Sequence, residues 1–399
     1  MANIFDYMAW RDIDLRKVEF NEIDNLILAR LSYFPFDKLL KEHECITIKD
    51  AYERYLKSDN DKKILWDADA KLFEVLANSV RFGNVKVTEY INKIDNVEEK
   101  QFSAITVILP DKTIYVSFRG TDNTIVGWKE NANMSFTDLV PAQLDSVKYL
   151  EYVTKRIKGK IRIGGHSKGG NLAVYAAAFC NYKIQKRIIK VYNIEGPGFV
   201  KRIIESPEYK NILGKVHRYI PQSSVIGRLL NSEETTTVVK SNQVGLMQHD
   251  IYSWEILGDK FIETEPTNSS VFIDKTISNW LEEVSNEQRA EFFDCLFEIL
   301  YATKAETMQD IGSRLYSNSK IMIKTYQNLS QETKEMIHKT LSMLFKIGKE
   351  NIEFPKINIK IKKRKIDKKE DTKKELKEKE DINKTTIEEI KMQDEEEKN

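Results

Sequence analysis

The stretch Ile161-Arg162-Ile163-Gly164-Gly165-His166-Ser167-Lys168-Gly169-Gly170-Asn171-Leu172-Ala173 decides the fold. Residues 161–164 are a short apolar run that reads as a strand, and residues 171–180 are an alanine-rich segment that reads as a helix. Between them lies Gly-x-Ser-x-Gly, centred on Ser167. A serine on so sharp a strand-to-helix turn is held in a strained backbone conformation. The positions two before and two after it must then be glycine, or nearly so, for the chain to pass without a clash. The helix behind the turn directs free N–H groups and positive potential at the serine. A phosphate-binding helix entry is the competing reading, but no Gly-x-Gly-x-x-Gly or Gly-Lys-Thr signature accompanies it.

Working outward, residues 85–91, 102–109 and Ile114–Phe118 are short β-type runs, with Pro110-Asp111-Lys112 as a hairpin turn between the last two. Helical and strand patterns then alternate. Residues 144–158 read as helix, Ile188–Ile194 as strand, 199–205 as a short helix, 215–220 and Thr235–Val239 as strands. Such alternation after a leading hairpin predicts a mostly parallel central sheet covered on both faces. With a nucleophile turn in its middle, this is the expected layout of an α/β-hydrolase fold. A helical N-terminal segment precedes it, with apolar spacing over Glu22–Leu31 and residues 67–80. A helical C-terminal appendage follows, where Ser285 with Gln288 makes a capping box and Ser330 opens a later helix. The expected division is a hydrolase-like domain over 1–275, a helical region over 276–355, and a charged tail over 356–399 that cannot bury enough apolar surface to order itself.

Composition narrows the classes. The chain has 399 residues, 41% of them apolar, and a net charge of +1, which argues against a dedicated nucleic-acid binder. Cys45, Cys180 and Cys295 fit no metal-ligand spacing and suggest inert thiols in a reducing compartment. The first residues lack the apolar core of a secretory signal, and no run is long enough to span a membrane, so a soluble cytoplasmic protein is expected. No cofactor or metal is implied.

A serine nucleophile needs a base. Of the five histidines, His166 adjoins the nucleophile and should point into the packing of the turn, His43 precedes the sheet, His217 lies in a strand and His338 on a late helix. His249, in Leu246-Met247-Gln248-His249-Asp250, follows the last strands, where the order serine, acid, histidine requires the base. The oxyanion donors are expected to be the backbone N–H of Lys168 and an N–H after an early strand, assigned to Thr121 in Phe118-Arg119-Gly120-Thr121.

Val116-Ser117-Phe118-Arg119-Gly120-Thr121 with Trp128, and Gly165-His166-Ser167-Lys168-Gly169-Gly170, resemble the two central motifs of the class 3 (fungal-type) lipases. More closely, the chain resembles the Mbeg-like family, a bacterial branch of α/β-hydrolases. The features that carry this likeness include Glu195-Gly196-Pro197-Gly198-Phe199, residues 221–230 and Gln248-His249-Asp250, and the likeness covers residues 1–260. The resemblance implies Ser167 as nucleophile, His249 as base and Thr121 as oxyanion contributor. It breaks at the acid, because Pro221-Gln222-Ser223-Ser224-Val225-Ile226 has serine where those lipases carry aspartate. Glu195, closing the strand Ile188–Ile194, is the favoured substitute, with Asp250 the other candidate and a purely structural role for Glu195 the competing view.

Arg119 reads as a structural ion pair with Glu130, contact with a substrate carboxylate being the other reading, and the Lys168 side chain reads as solvent-exposed, with tuning of the serine's basicity the other reading. Val225, Ile226, Leu229 and Leu230 line an acyl pocket or lid, or pack as core. Lys362-Lys363-Arg364-Lys365 is a candidate for weak contact with a membrane surface or nucleic acid, a solvated tail being the plainer reading. The sequence thus points to a serine hydrolase of carboxylic esters, lipid esters among them. A non-catalytic binding or scaffolding protein on the same fold is the alternative. The partner expected is a small-molecule or lipid ester, and no oligomeric state is implied.

Overall fold

The computed structural model describes residues 2–58, 64 and 66–350; the basic tail lies outside them. The chain enters through helices α1 (Ile4–Trp10) and α2 (Glu22–Leu31). Each is opened by an asparagine, Asn3 or Asn21, whose side-chain oxygen takes first-turn N–H groups while an aspartate three residues on returns the bond. After strand β1 (Cys45–Thr47), Thr47 and Asp50 cap α3 (Ile48–Leu56) in the same way, and α4 (Asp67–Asn78) completes the N-terminal set.

Among the described residues, eight strands form one sheet in sequential order. β1, β2 (Lys86–Asp95), β3 (Lys100–Ile108) and β4 (Ile114–Phe118) pair antiparallel. β4, β5 (Ile161–His166), β6 (Ile188–Ile194), β7 (Val216–Pro221) and β8 (Thr235–Val239) pair parallel. Helices α5 (Ile125–Asn133) and α6 (Pro141–Arg156) join β4 to β5, and α7 (Lys168–Phe179) and α8 (Tyr182–Gln185) join β5 to β6. Short α9 (Lys201–Ile204) and α10 (Pro207–Ile212) lead to β7. A two-stranded ribbon, β9 (Ile256–Leu257) with β10 (Lys260–Phe261), follows β8.

Both faces of the sheet are buried, and the period of two shows where each side chain goes. In β3, Ile105 and Val107 join Tyr115 of β4 in the core shared with Leu26 and Ile27 of α2. Phe102 and Ala104, with Val116 and Phe118, pack instead with Leu172 and Ala176 of α7. This is the α/β-hydrolase fold: a parallel half-sheet sandwiched by helices, with a serine turn at the end of a central strand. Because β4 to β8 run the same way, their C-terminal ends meet at one rim, and the loops leaving that rim can share a site.

The last helices are α11 (Asn268–Glu283), α12 (Asn286–Tyr301), α13 (Met308–Ser313), α14 (Leu315–Asn328) and α15 (Gln331–Glu350). The apolar spacing of the sequence does not mark α13 and α14 as separate helices. Ser270 Oγ donates to Ser224 O at 2.9 Å, and Thr267 N–H to Gln222 O at 2.8 Å, which fastens α11 to the loop after β7. On the other side Ile125 N–H donates to Glu306 O, and Met308 N–H to Asn123 O, both at 2.9 Å, fastening the turn before α13 to the loop after β4. Among the described residues no helix is long and apolar enough to cross a membrane.

A buried ion pair ties α2 to the turn after α4. Arg81 Nε donates to Asp24 Oδ1 at 2.7 Å, Tyr7 Oη donates to the same oxygen at 2.8 Å, and both charged side chains are wholly buried. Removing one partner strands the other charge in the core. Arg81→Met should therefore lower unfolding free energy by about 3–5 kcal/mol, read from the urea midpoint. A shift under about 1 kcal/mol would show that the pair is not structural.

Candidate active site

Ser167 caps α7 at φ 59°, ψ −133°, a left-handed conformation that a serine adopts only under constraint. The constraint is visible on both sides. Its N–H donates to Ile194 O at 2.9 Å, and its carbonyl accepts from Gly170 N–H at 2.8 Å. A Cβ on Gly165 would sit 2.4 Å from the backbone of Gly169, and a Cβ on Gly169 would sit 2.1 Å from Phe118 O. Gly120 is equally tight, since its Cβ would meet His166 O at 2.5 Å and Ser167 Cβ at 3.0 Å. The end of β4 can approach the serine only because these positions carry no side chain.

His249 closes a 3-10 turn, Gly245–His249, beyond β8. Its Nδ1 lies 2.9 Å from Glu195 Oε2, and Glu195, at the end of β6, is buried at φ 47°. The carboxylate can only accept, so Nδ1 carries the proton and Nε2 is the nitrogen left with a free lone pair. The other carboxylate oxygen, Oε1, accepts from Ser224 Oγ at 3.0 Å. Of the two candidate acids, then, Glu195 is the one that meets the ring. Asp250 caps the following turn by accepting from Tyr252 N–H. His249 stands beside the serine turn, its ring centroid 4.5 Å from that of His166, and its carbonyl 3.0 Å from His166 Nε2. Among the described residues no hydrogen bond joins Ser167 Oγ to His249, a bond that in such sites often tightens only when substrate arrives.

Burial, reinforced by the nearby His249 and Arg30, holds the His166 imidazole well below its ordinary range, so this ring is neutral at neutral pH. Donor atoms of His166, Glu195 and His249 fall within 4.8 Å of one another, a spacing a metal ion could use. They are already spent, however: His249 Nδ1 on Glu195, His166 Nε2 on the His249 carbonyl and His166 Nδ1 on Tyr33 Oη. The set is better suited to holding a proton than a cation.

Among the described residues, the backbone N–H groups of Lys168 and Thr121 meet no acceptor, and the Thr121 hydroxyl accepts from Asn131 Nδ2. The Lys168 side chain corrects the expectation of solvent exposure. It is buried, with Nζ 2.6 Å from both Glu130 Oε2 and Gln101 O. A residue opening a helix sends its side chain back past the N-terminus, and here that direction leads under α5. Glu130, expected to pair with Arg119, is thus taken by Lys168. Arg119 pairs with Asp122 at 3.1 Å and reaches Asn92 at 3.0 Å. Val225, Ile226, Leu229 and Leu230 are half-buried in the loop that carries Ser224.

The sequence assigns no role to Tyr33, and it shows Ser224 and Gln248 only as members of quoted motifs. Ser224, in the loop after β7, donates its hydroxyl to Glu195. Gln248 is buried, accepts from Ser223 N–H at 2.7 Å and so ties the histidine turn to the loop after β7. Tyr33 carries no local signal, since its role depends on packing against residues far along the chain.

The family model described as Mbeg1-like matches residues 76–298, more than half of the chain. The chain belongs to the Mbeg1-like family. The matched stretch starts after the N-terminal helices and ends within α12. No curated protein matches the chain. Among solved structures, a Rhizomucor miehei lipase propeptide complex is 17% identical, covering 39% of this chain and 57% of that one, with a TM-score of 0.30. The Lip2 lipase of Yarrowia lipolytica is 14% identical, covering 58% and 80%, with a TM-score of 0.33. This Mbeg1-like chain thus spans less than two thirds of the Rhizomucor structure. Likeness so distant carries no functional argument.

Two outcomes test the geometry itself. Gly169→Ala should destabilise the Mbeg1-like chain by about 1–3 kcal/mol or more, while Gly214→Ala, where nothing lies within 4 Å, should stay within about 0.5 kcal/mol. Equal effects in thermal melts would contradict the tight turn. For His166, the folded ring stays neutral as pH falls while the unfolded ring takes a proton near 6.5. Its contribution is therefore intact above about pH 6.5 and declines by up to about 1.4 kcal/mol per unit below it, until the depressed folded value is reached. His166→Asn should flatten urea stability between about pH 6.5 and 5.5 relative to wild type; parallel curves would contradict this.

Proposed function

We propose that the chain is a serine hydrolase of carboxylic esters, lipid esters being one class within its reach. The observation that carries the reading is the 2.9 Å contact between His249 Nδ1 and Glu195 Oε2, beside a serine held at positive φ. In this reading Ser167 Oγ attacks the ester carbonyl while His249 Nε2 takes its proton. Negative charge gathers on the carbonyl oxygen and is met by the N–H groups of Lys168 and Thr121. The intermediate collapses, the carbon–oxygen bond to the alcohol breaks, and His249 returns the proton to the leaving alcohol. Water then attacks the acyl-serine with His249 again as base, releasing the acid and restoring the serine. Glu195 keeps the Nδ1–H tautomer and offsets the positive charge on the ring in each half-reaction. No metal or organic cofactor enters these steps.

One observation favours a second reading, a binding module on the hydrolase fold: Ser167 Oγ and His249 share no hydrogen bond among the described residues. A fluorophosphonate probe separates the two. The hydrolase reading predicts stoichiometric labelling of the full-length chain, none in Ser167→Ala, and a rate lowered on the order of 10²–10⁴-fold in His249→Ala. A folded wild type that stays unlabelled would support the binding module.

A further inference from the structure

We propose that Tyr33 and His166 are positioning residues that lock the oxyanion loop and the main chain of His249 together beneath Ser167. This inference rests on the hydrolase reading and adds to it residues that do not touch substrate.

The hydrogen atoms can be assigned. His166 Nε2 lies 3.0 Å from the carbonyl oxygen of His249, which can only accept, so Nε2 carries the proton. His166 Nδ1 is then bare, and the Tyr33 hydroxyl proton is shared between it, at 3.2 Å, and the His166 carbonyl oxygen, at 3.3 Å, so both acceptors hold the tyrosine to His166. The same hydroxyl oxygen accepts from the backbone N–H of Gly120 at 3.1 Å, one residue before Thr121. The path is continuous: Gly120 N–H to Tyr33 oxygen, Tyr33 O–H to His166 Nδ1, His166 Nε2–H to His249 carbonyl. It crosses the serine turn at its own neighbour, and every side chain in it is buried. A protonated His166 would lose the nearer of the two acceptors, and the neutral ring described above keeps it.

The near end of the path is also fixed. The Arg30 guanidinium lies 4.0 Å over the Tyr33 ring and is held by Asp69 at 2.6 and 2.7 Å. Asp69 also accepts from Tyr252 Oη at 2.7 Å, three residues after His249. The chain from His249 onward is therefore pinned twice, through the His249 carbonyl by His166 and through Tyr252 by Asp69. Arg30, Tyr33 and Asp69 all precede residue 76, so the N-terminal helices complete a site whose chemical groups lie within the family-matched stretch. Glu195 sets the angle of the His249 ring, whereas this path sets where the ring stands. Misplacing a base by about 1 Å costs on the order of 10²-fold in rate.

The alternative is that Tyr33 merely fills space and its hydroxyl is satisfied in passing. Turnover of a 4-nitrophenyl ester by the full-length chain distinguishes the two. Tyr33→Phe keeps the ring under Arg30 and removes only the oxygen. It should lower kcat about 10- to 100-fold with KM within about threefold, and slow fluorophosphonate labelling by the same factor. His166→Leu should do likewise, and His166→Gln, which keeps one donor and one acceptor, should recover about tenfold over leucine. A folded Tyr33→Phe chain with kcat within about twofold of wild type would overturn the inference while leaving the hydrolase reading intact. If His166→Leu fails to fold, the tyrosine variant decides alone. A wild type that neither labels nor turns over would remove the hydrolase reading and this inference with it.

Discussion

A serine held at φ 59° stays there only if the backbone around it is fixed more firmly than the strain it carries. Here the fixing comes from three neighbours at once. β6 takes the Ser167 N–H, the carbonyl of Phe118 at the end of β4 presses on Gly169, and Gly120 packs against the serine itself. The strain has a geometric consequence, since a residue forced out of both strand and helix conformation stands at the rim of the sheet instead of inside it. The parallel half of the sheet then brings the ends of β4, β6, β7 and β8 to that same rim. Those loops bear Gly120, Glu195, Ser224 and His249.

The proposed acid shows how adjacent strands can share one place. β6 and β7 are hydrogen-bonded neighbours, with Ile194 opposite Tyr219, so their ends lie one strand spacing apart. An acid from the end of β7 is absent, and Ser224 occupies that loop instead. Its hydroxyl donates to Glu195, which reaches the His249 ring from the neighbouring strand end. The positive φ of Glu195 marks the local backbone cost of turning the side chain in this direction.

The sequence made legible what local chemistry controls. Gly165 and Gly169 flanking Ser167, the Pro110-Asp111-Lys112 turn, the Ser285–Gln288 capping box and the β-branched run Thr235–Val239 each have short-range physical causes, and each falls where it was read. Glu195 and His249 were legible as candidates because both close or follow a strand. Lys168 was misread because exposure depends on what lies behind a helix, and no local pattern reports that Glu130 on α5 is there. Tyr33 was invisible for the same reason, its partners lying 87 and 133 positions away along the chain. The three-residue strand β1 and helices α13 and α14 were too short or too weakly patterned to stand out.

The helical segments at either end of the chain also bear on the site. The turn after α2 supplies Tyr33 beneath it, and the C-terminal helices are fastened to the loops after β4 and β7 on either side of it. The proposed hydrolase chemistry depends on a covalent intermediate on the Ser167 hydroxyl. Mixing the full-length chain with a reactive acetate ester, quenching in acid and mapping the peptides by mass would test it most directly. The account predicts one acetyl group on the peptide bearing Ser167, and none on that peptide in Ser167→Ala. Ester turnover that proceeds unchanged in Ser167→Ala, with no acetyl on that peptide in wild type, would contradict it.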